Sequence, residues 1–166
     1  MGADIGVVVD STADFPAGRV EQLGLHIVPI HIAIDGQDFL HGVNLDNNEV
    51  IAAMQGDREV KTAPPIPSEY ADLFEALLKK YDRLLCLHVS SELSPCYTAA
   101  QRALQIMFED EARRVRCVDT RTCTAGQALV AQRAVELIGK GATFEQLPED
   151  LAFFIDNNRL YFTVDN

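Results

Sequence analysis

Leu84-Leu85-Cys86-Leu87-His88-Val89-Ser90-Ser91-Glu92-Leu93-Ser94-Pro95-Cys96-Tyr97 passes from an apolar run into a hydroxyl cluster and then into a proline-led helical pattern. Leu84 to Val89 has the length and composition of a buried strand. Pro95 sits where a first-turn proline is welcome, because the missing N–H has no helical partner there anyway. A strand that ends in small hydroxyl residues at a helix start offers free backbone N–H groups and the positive end of a helix dipole. That arrangement favours an anion: phosphate, sulfate or carboxylate. The plainer role for Ser90, Ser91 and Ser94 is to cap the helix.

Working outward, the same alternation recurs. Asp4 to Val9 has the character of a buried parallel strand and ends in Asp10-Ser11-Thr12. A short helix opens at Asp14-Phe15-Pro16 and stops at Gly24. A strand follows over His26 to Ile34, and Asp35-Gly36 signals a hairpin into Gln37 to Leu40. The pattern predicts a helix from Asn48 to Gln55, an irregular loop over Arg58 to Pro67 stiffened by three prolines, and a helix capped by Ser68 running to Lys80. Beyond the Pro95 helix, which extends to Phe108, come a strand at Val115 to Val118 and the polar exit Asp119-Thr120. A helix over Thr124 to Ile138, a second from Phe144 to Asn157 capped by Thr143, and a strand over Leu160 to Val164 complete the pattern. Strands alternating with helices predict an α/β fold with a mostly parallel sheet flanked by helices, right-handed crossovers and a small hairpin after the second strand. One domain is expected over residues 1–166. Ligands of such sheets sit at the strands' carboxyl ends, and three of those ends carry Asp10-Ser11-Thr12, Ser90-Ser91 and Asp119-Thr120.

Fourteen basic against twenty-five acidic residues leave a net charge of −11, which argues against nucleic acid and anionic membrane surfaces as partners. Cys86, Cys96, Cys117 and Cys123 include no CxxC spacing, so neither a zinc site nor a redox motif is expected. Cys86 and Cys117 lie in strand runs and read as buried thiols. Cys96 and Cys123 stand at loop-to-helix junctions, where reactivity is conceivable. No apolar run is long enough for a membrane segment and no signal peptide opens the chain, so a cytoplasmic, reduced protein is expected.

Several of these stretches resemble the DegV family. Asp10-Ser11-Thr12-Ala13-Asp14, Ile27-Val28-Pro29-Ile30, and Asp35-Gly36 with His41-Gly42-Val43 follow its opening pattern. Lys61-Thr62-Ala63-Pro64-Pro65 resembles its Lys-Thr-Ser-Gln-Pro loop, and Ser90 to Tyr97 its Ser-Ser-x-Leu-Ser-Gly-Thr-Tyr segment. Val118-Asp119-Thr120 with Gly126 is similar to its Asp-Ser helix start, and Tyr161 to Asn166 to the strand that opens its second half. The resemblance implies a bacterial lipid-binding carrier, not an enzyme, with a long-chain fatty acid as its ligand and no cofactor or metal. Family members hold the acyl chain in an apolar tunnel between two domains and present it to a separate fatty acid kinase. Carried over, Thr62 and the Ser90, Ser91, Ser94 group hold the carboxylate, Ser91 being preferred and Ser94 supporting it. Asp10, Ser11, Thr12, Ala63 and Asp119 stand at the rim. The sequence departs from the family at Ala63, Pro64, Pro95 and Cys96, which removes hydroxyl and amide donors. It ends where the family usually continues into a carboxyl-terminal domain of similar size. The chain alone would expose an apolar face, which invites a homodimer.

Other residues admit plainer roles. His88 reads as a hydrogen-bonded core histidine. His26 and His31, five apart, face opposite sides of one strand and share no metal. His41 is open to either reading. Phe153, Phe154, Leu160, Tyr161 and Phe162 read as core or as a stripe against a second domain, and Arg113, Arg114 and Arg116 as a solvated helix end. No GxGxxG or Walker motif occurs. Ser91 is outside any GxSxG elbow, and spacing alone reveals no serine–histidine partnership. The alternative to the carrier is a small enzyme acting on a phosphorylated or carboxylated metabolite, with Ser91 or Asp10 in the chemistry.

Overall fold

Every second residue of the central strands faces the same helical layer, and this alternation builds the molecule. The computed structural model describes residues 4–161 and 163. Strands β1 (Ile5–Asp10), β2 (Leu25–Val28), β6 (Arg83–His88) and β7 (Val115–Asp119) form a parallel sheet in the order β2-β1-β6-β7. Val8, Leu84, Cys86 and Val115 face helices α3 (Pro67–Leu78) and α4 (Cys96–Ile106), where Tyr70, Phe74, Ala100 and Ala103 are buried. Val7, Val9, Leu85 and Leu87 face α6 (Thr124–Gly139) and α7 (Leu147–Asn157), against Val130, Ala131, Leu147 and Leu151. A strand buried on both faces carries the continuous apolar run seen in the sequence.

A second, antiparallel sheet has the order β4-β3-β5, built from β3 (His31–Ile34), β4 (Gln37–Leu40) and β5 (Val60–Ala63). Asp35 and Gly36 both adopt positive φ, at 50° and 81°, which is the geometry of a primed two-residue turn. Helix α2 (Asn47–Gln55) is fixed by a capping box in which Asp46 accepts from the Glu49 N–H and Glu49 from the Asp46 N–H. Short helices α1 (Arg19–Leu23) and α5 (Glu109–Ala112) complete the described elements.

Five sequence expectations are corrected. The strand over His26 to Ile34 is two strands in two sheets, because Pro29 offers no N–H to a ladder and the chain turns there. The Arg58–Pro67 loop contains β5, paired with β3 so that Ile32 stands opposite Thr62. The prolines begin only at Pro64, and the four residues before them keep their N–H groups for the free edge of β3. Helix α3 starts at Pro67, whose fixed φ suits a first helical residue, so Ile66 and not Ser68 is the cap. Helix α7 starts at Leu147, not Phe144, while Thr143 bonds the Gln146 side chain ahead of it. Of the strand expected over Leu160 to Val164, Leu160, Tyr161 and Thr163 are not in a strand, and the rest lies outside the described residues.

Candidate functional site

Strands β1, β6 and β7 are neighbours, so their polar carboxyl ends meet. Asp10 is the centre of that rim and is fully buried. Its carboxylate accepts from the Val89 N–H at 2.9 Å, the Thr12 N–H at 3.3 Å, Gln127 Nε2 at 3.1 Å and the Thr12 hydroxyl. Asp10 therefore ties β1 to the segment after β6 and is closed to substrate. Gln127, a polar residue on an otherwise apolar stripe of α6, went unnoticed in the sequence. Its position three and four residues before Val130 and Ala131 was the available signal.

The serines divide. Ser90 is buried: its carbonyl receives the N–H groups of Leu93 and Ser94, and its hydroxyl accepts from the Glu92 N–H at 3.3 Å. Ser91 is exposed and donates its hydroxyl to Asp119 Oδ2 at 2.5 Å. Asp119 also accepts from the N–H of Arg121. Ser94 lines a cavity of about 410 Å³ together with Thr62, Ala63 and Thr12, and its hydroxyl lies 3.1 Å from Cys96 Sγ. Ile30, Val89 and Leu93 contribute apolar wall to the same cavity. The structure thus brings the Thr62 loop and the serine segment to one cavity through Ser94, while Ser90 and Ser91 do not line it. Ser11 is buried elsewhere, bonded to the Ile30 N–H and to His41.

His26 and His31 serve tertiary contacts. His26 Nε2 is 3.0 Å from the Tyr81 hydroxyl, and His31 bridges Asp38 and Glu69. They lie in different sheets and not on opposite faces of one strand. Neither ring nitrogen of fully buried His88 has a hydrogen-bond partner; its Nδ1 stands 3.6 Å from Asp10 Oδ2. Cys96 is fully buried, and burial pushes its thiol up, which removes it from the reactive candidates. Arg114 is not a solvated helix end. Its guanidinium donates to the carbonyl of Leu78, the last residue of α3, and to those of Tyr81 and Asp82 beyond it. Phe153 is exposed and Phe154 packs on the core. Among the described residues no three metal-ligating side chains converge and no helix is long and apolar enough to cross a membrane.

Comparison with known proteins supplies an independent reading. Residues 4–166 match the family described as "Uncharacterised protein, DegV family". A DegV domain-containing protein of Deinococcus radiodurans is 32% identical over 162 residues, covering 97% of this chain and 56% of that protein. The chain spans about half the length of the curated relatives it matches. The structure superposes with a TM-score of 0.82 on a fatty-acid-binding DegV family protein of Thermus thermophilus, at 27% identity and covering 92% of this chain and 54% of that one. A stearic-acid-binding protein of Eubacterium ventriosum gives 0.82 at 26% identity, covering 89% and 52%.

Proposed function

This chain belongs to the DegV family, and on that premise we propose that it holds one long-chain fatty acid by its carboxylate and presents it to a separate, ATP-using fatty acid kinase. The observation that carries the reading is the shared cavity of Thr62 and Ser94, two hydroxyls 32 positions apart in the chain, against an apolar wall. A carboxylate leaving water needs hydrogen bonds, and a charge-assisted one contributes about 1.5–3 kcal/mol. Hydroxyls supply them without a fixed cation that would hold the anion against release. The tail contributes about 0.8 kcal/mol per buried CH₂, so it dominates affinity while the head group sets orientation. Thr12, from the end of β1, also lines this cavity, but its hydroxyl is committed to Asp10 and Gln127, which leaves the carboxylate to Thr62 and Ser94. The solved relatives named for fatty acids support this ligand class.

Titration with a fluorescent stearate analogue tests the assignment. Thr62→Ala and Ser94→Ala are each expected to weaken binding by about 10- to 150-fold, the ratio that 1.5–3 kcal/mol represents. Ser91→Ala, whose hydroxyl is committed to Asp119, leaves affinity unchanged. Undiminished binding by the Thr62→Ala/Ser94→Ala double variant would remove both residues from the site.

A further inference from the structure

Beside the carboxyl end of β1, at Ser11, lies a second cavity that the fatty-acid reading leaves unassigned. It has a volume of about 350 Å³, within the usual range of small-molecule sites, and is lined by Ser11, His41 and Asn47 with Phe15, Val20 and Val43 as apolar wall. Ser11 Oγ lies 3.1 Å from His41 Nδ1, and His41 Nε2 lies 2.6 Å from Asn47 Oδ1. We propose that Ser11, His41 and Asn47 form a nucleophile–base–orienter relay that hydrolyses acyl esters in this cavity.

The proton logic follows from the partners. A carboxamide oxygen only accepts, so Asn47 Oδ1 fixes the proton of a neutral imidazole on Nε2 and leaves the Nδ1 lone pair for the Ser11 hydroxyl. The Ile30 N–H donates to Ser11 Oγ at 3.0 Å and holds that oxygen in place. Asn47 is the first residue of α2, and the Asp46–Glu49 capping box fixes it there. The three side chains thus come from the end of β1, the turn after β4 and a capped helix start, a pre-organised set. Asp14 and Phe15 belong to the same lining, and among the described residues their backbone N–H groups bond no protein acceptor.

Ser11 Oγ attacks the ester carbonyl carbon while its proton passes to His41 Nδ1. The tetrahedral adduct then expels the alcohol, which takes that proton from His41, and the acyl group stays on Ser11. Water attacks the acyl-serine, His41 again accepts a proton and returns it to Ser11, and a carboxylic acid leaves. Asp14 and Asp46 also line the cavity and repel polyanionic leaving groups, which assigns the substrate to esters of uncharged alcohols with a short apolar acyl chain.

The test is p-nitrophenyl butyrate hydrolysis by the purified chain, together with labelling by a fluorophosphonate probe and mapping of the modified peptide. The expected result is turnover with the label on Ser11. His41→Ala lowers the rate by about 100-fold or more. Asn47→Ala lowers it, while Asn47→Asp, whose carboxylate still accepts from His41 Nε2, recovers the rate; this rescue separates a positioning role from a structural one. Ser11→Ala abolishes turnover and labelling. Ser11→Cys, which keeps an acceptor for the Ile30 N–H, gains the mass of one butyryl group. Ser68→Ala, on the exposed face of α3, changes nothing. Absence of label at Ser11, or equal hydrolysis by wild type and folded Ser11→Ala, would overturn the proposal and reduce the three side chains to a staple between the two sheets. Neither result bears on stearate binding at Thr62 and Ser94.

Discussion

The carboxylate of Asp10 stands 3.6 Å from His88 Nδ1, with both side chains shut off from solvent. Burial pulls the imidazolium down, but Asp10 and Cys117 push it further the other way, to about 9. Burial raises the Asp10 carboxyl as well, yet His88, Thr12 and the Val89 N–H hold it below its ordinary value. The His88 part of this stabilisation is present below pH 6.5 and is lost as pH rises through about 9. The Asp10 part is present above 3.8 and is lost as pH falls through its lowered value. Asp10→Ala strands a buried imidazolium and is expected to cost about 3–5 kcal/mol in urea denaturation at neutral pH. A loss below about 1 kcal/mol would show that the two groups are not a charged pair.

His31 links the two sheets' surroundings. Its protonated ring donates on both sides, to Asp38 at 2.7 Å and to Glu69 at 3.0 Å, and the Asp38 bond followed by the Glu69 bond raises it above 6.5. A raised value means stability that is full below 6.5 and fades as pH climbs through the folded value. Both carboxylates are well exposed, so solvent screening limits each pair to about 0.2–1 kcal/mol. His31→Gln is expected to lower the thermal midpoint at mildly acidic pH and to leave it unchanged in alkaline buffer. Equal loss at both would exclude the ionic contribution.

Gly126, in the first turn of α6, has no room for a side chain. A Cβ there would collide with Thr122 Oγ1 and crowd Thr122 Cγ2 at 3.2 Å. Gly126→Ala is expected to cost about 1–3 kcal/mol, the usual penalty of overpacking. Adding Thr122→Ala removes the colliding oxygen, so the double variant should recover most of that loss. Strict additivity of the two changes in a denaturation cycle would contradict this contact.

Tyr70 is fully buried beneath the edge of the His88 ring, and its hydroxyl has no hydrogen-bond partner. Removing an unsatisfied buried hydroxyl relieves a desolvation cost. Tyr70→Phe is therefore expected to match or exceed wild-type stability, whereas Tyr70→Ala loses about 3–5 kcal/mol by opening a cavity. A clear destabilisation by Tyr70→Phe would mean that the hydroxyl is satisfied in solution.

Much of the architecture was legible because its causes are local. The apolar runs of β1 and β6, the Asp35-Gly36 turn and Gly24 after α1 each act through residues within a few positions, and the parallel sheet follows from their alternation. The strand β5 was hidden because it owes its existence to an open edge on β3, roughly thirty residues earlier in the chain, and its own pattern of four residues carries no period. The division among Ser90, Ser91 and Ser94 was equally hidden. One hydroxyl receives a backbone N–H, one donates to Asp119, and one reaches the Thr62 cavity.

The amino-acid sequence by itself determined the α/β class, the family and the hydroxyl-bearing strand ends, since periodicity, caps and motifs are written along the chain. Only the tertiary structure decided which hydroxyls meet: Thr62 with Ser94 in one cavity, Ser11 with His41 and Asn47 in another. Those partnerships span tens of residues and depend on which strands lie side by side. That choice is made by burial of both faces of the sheet at once, and no short stretch of sequence encodes it.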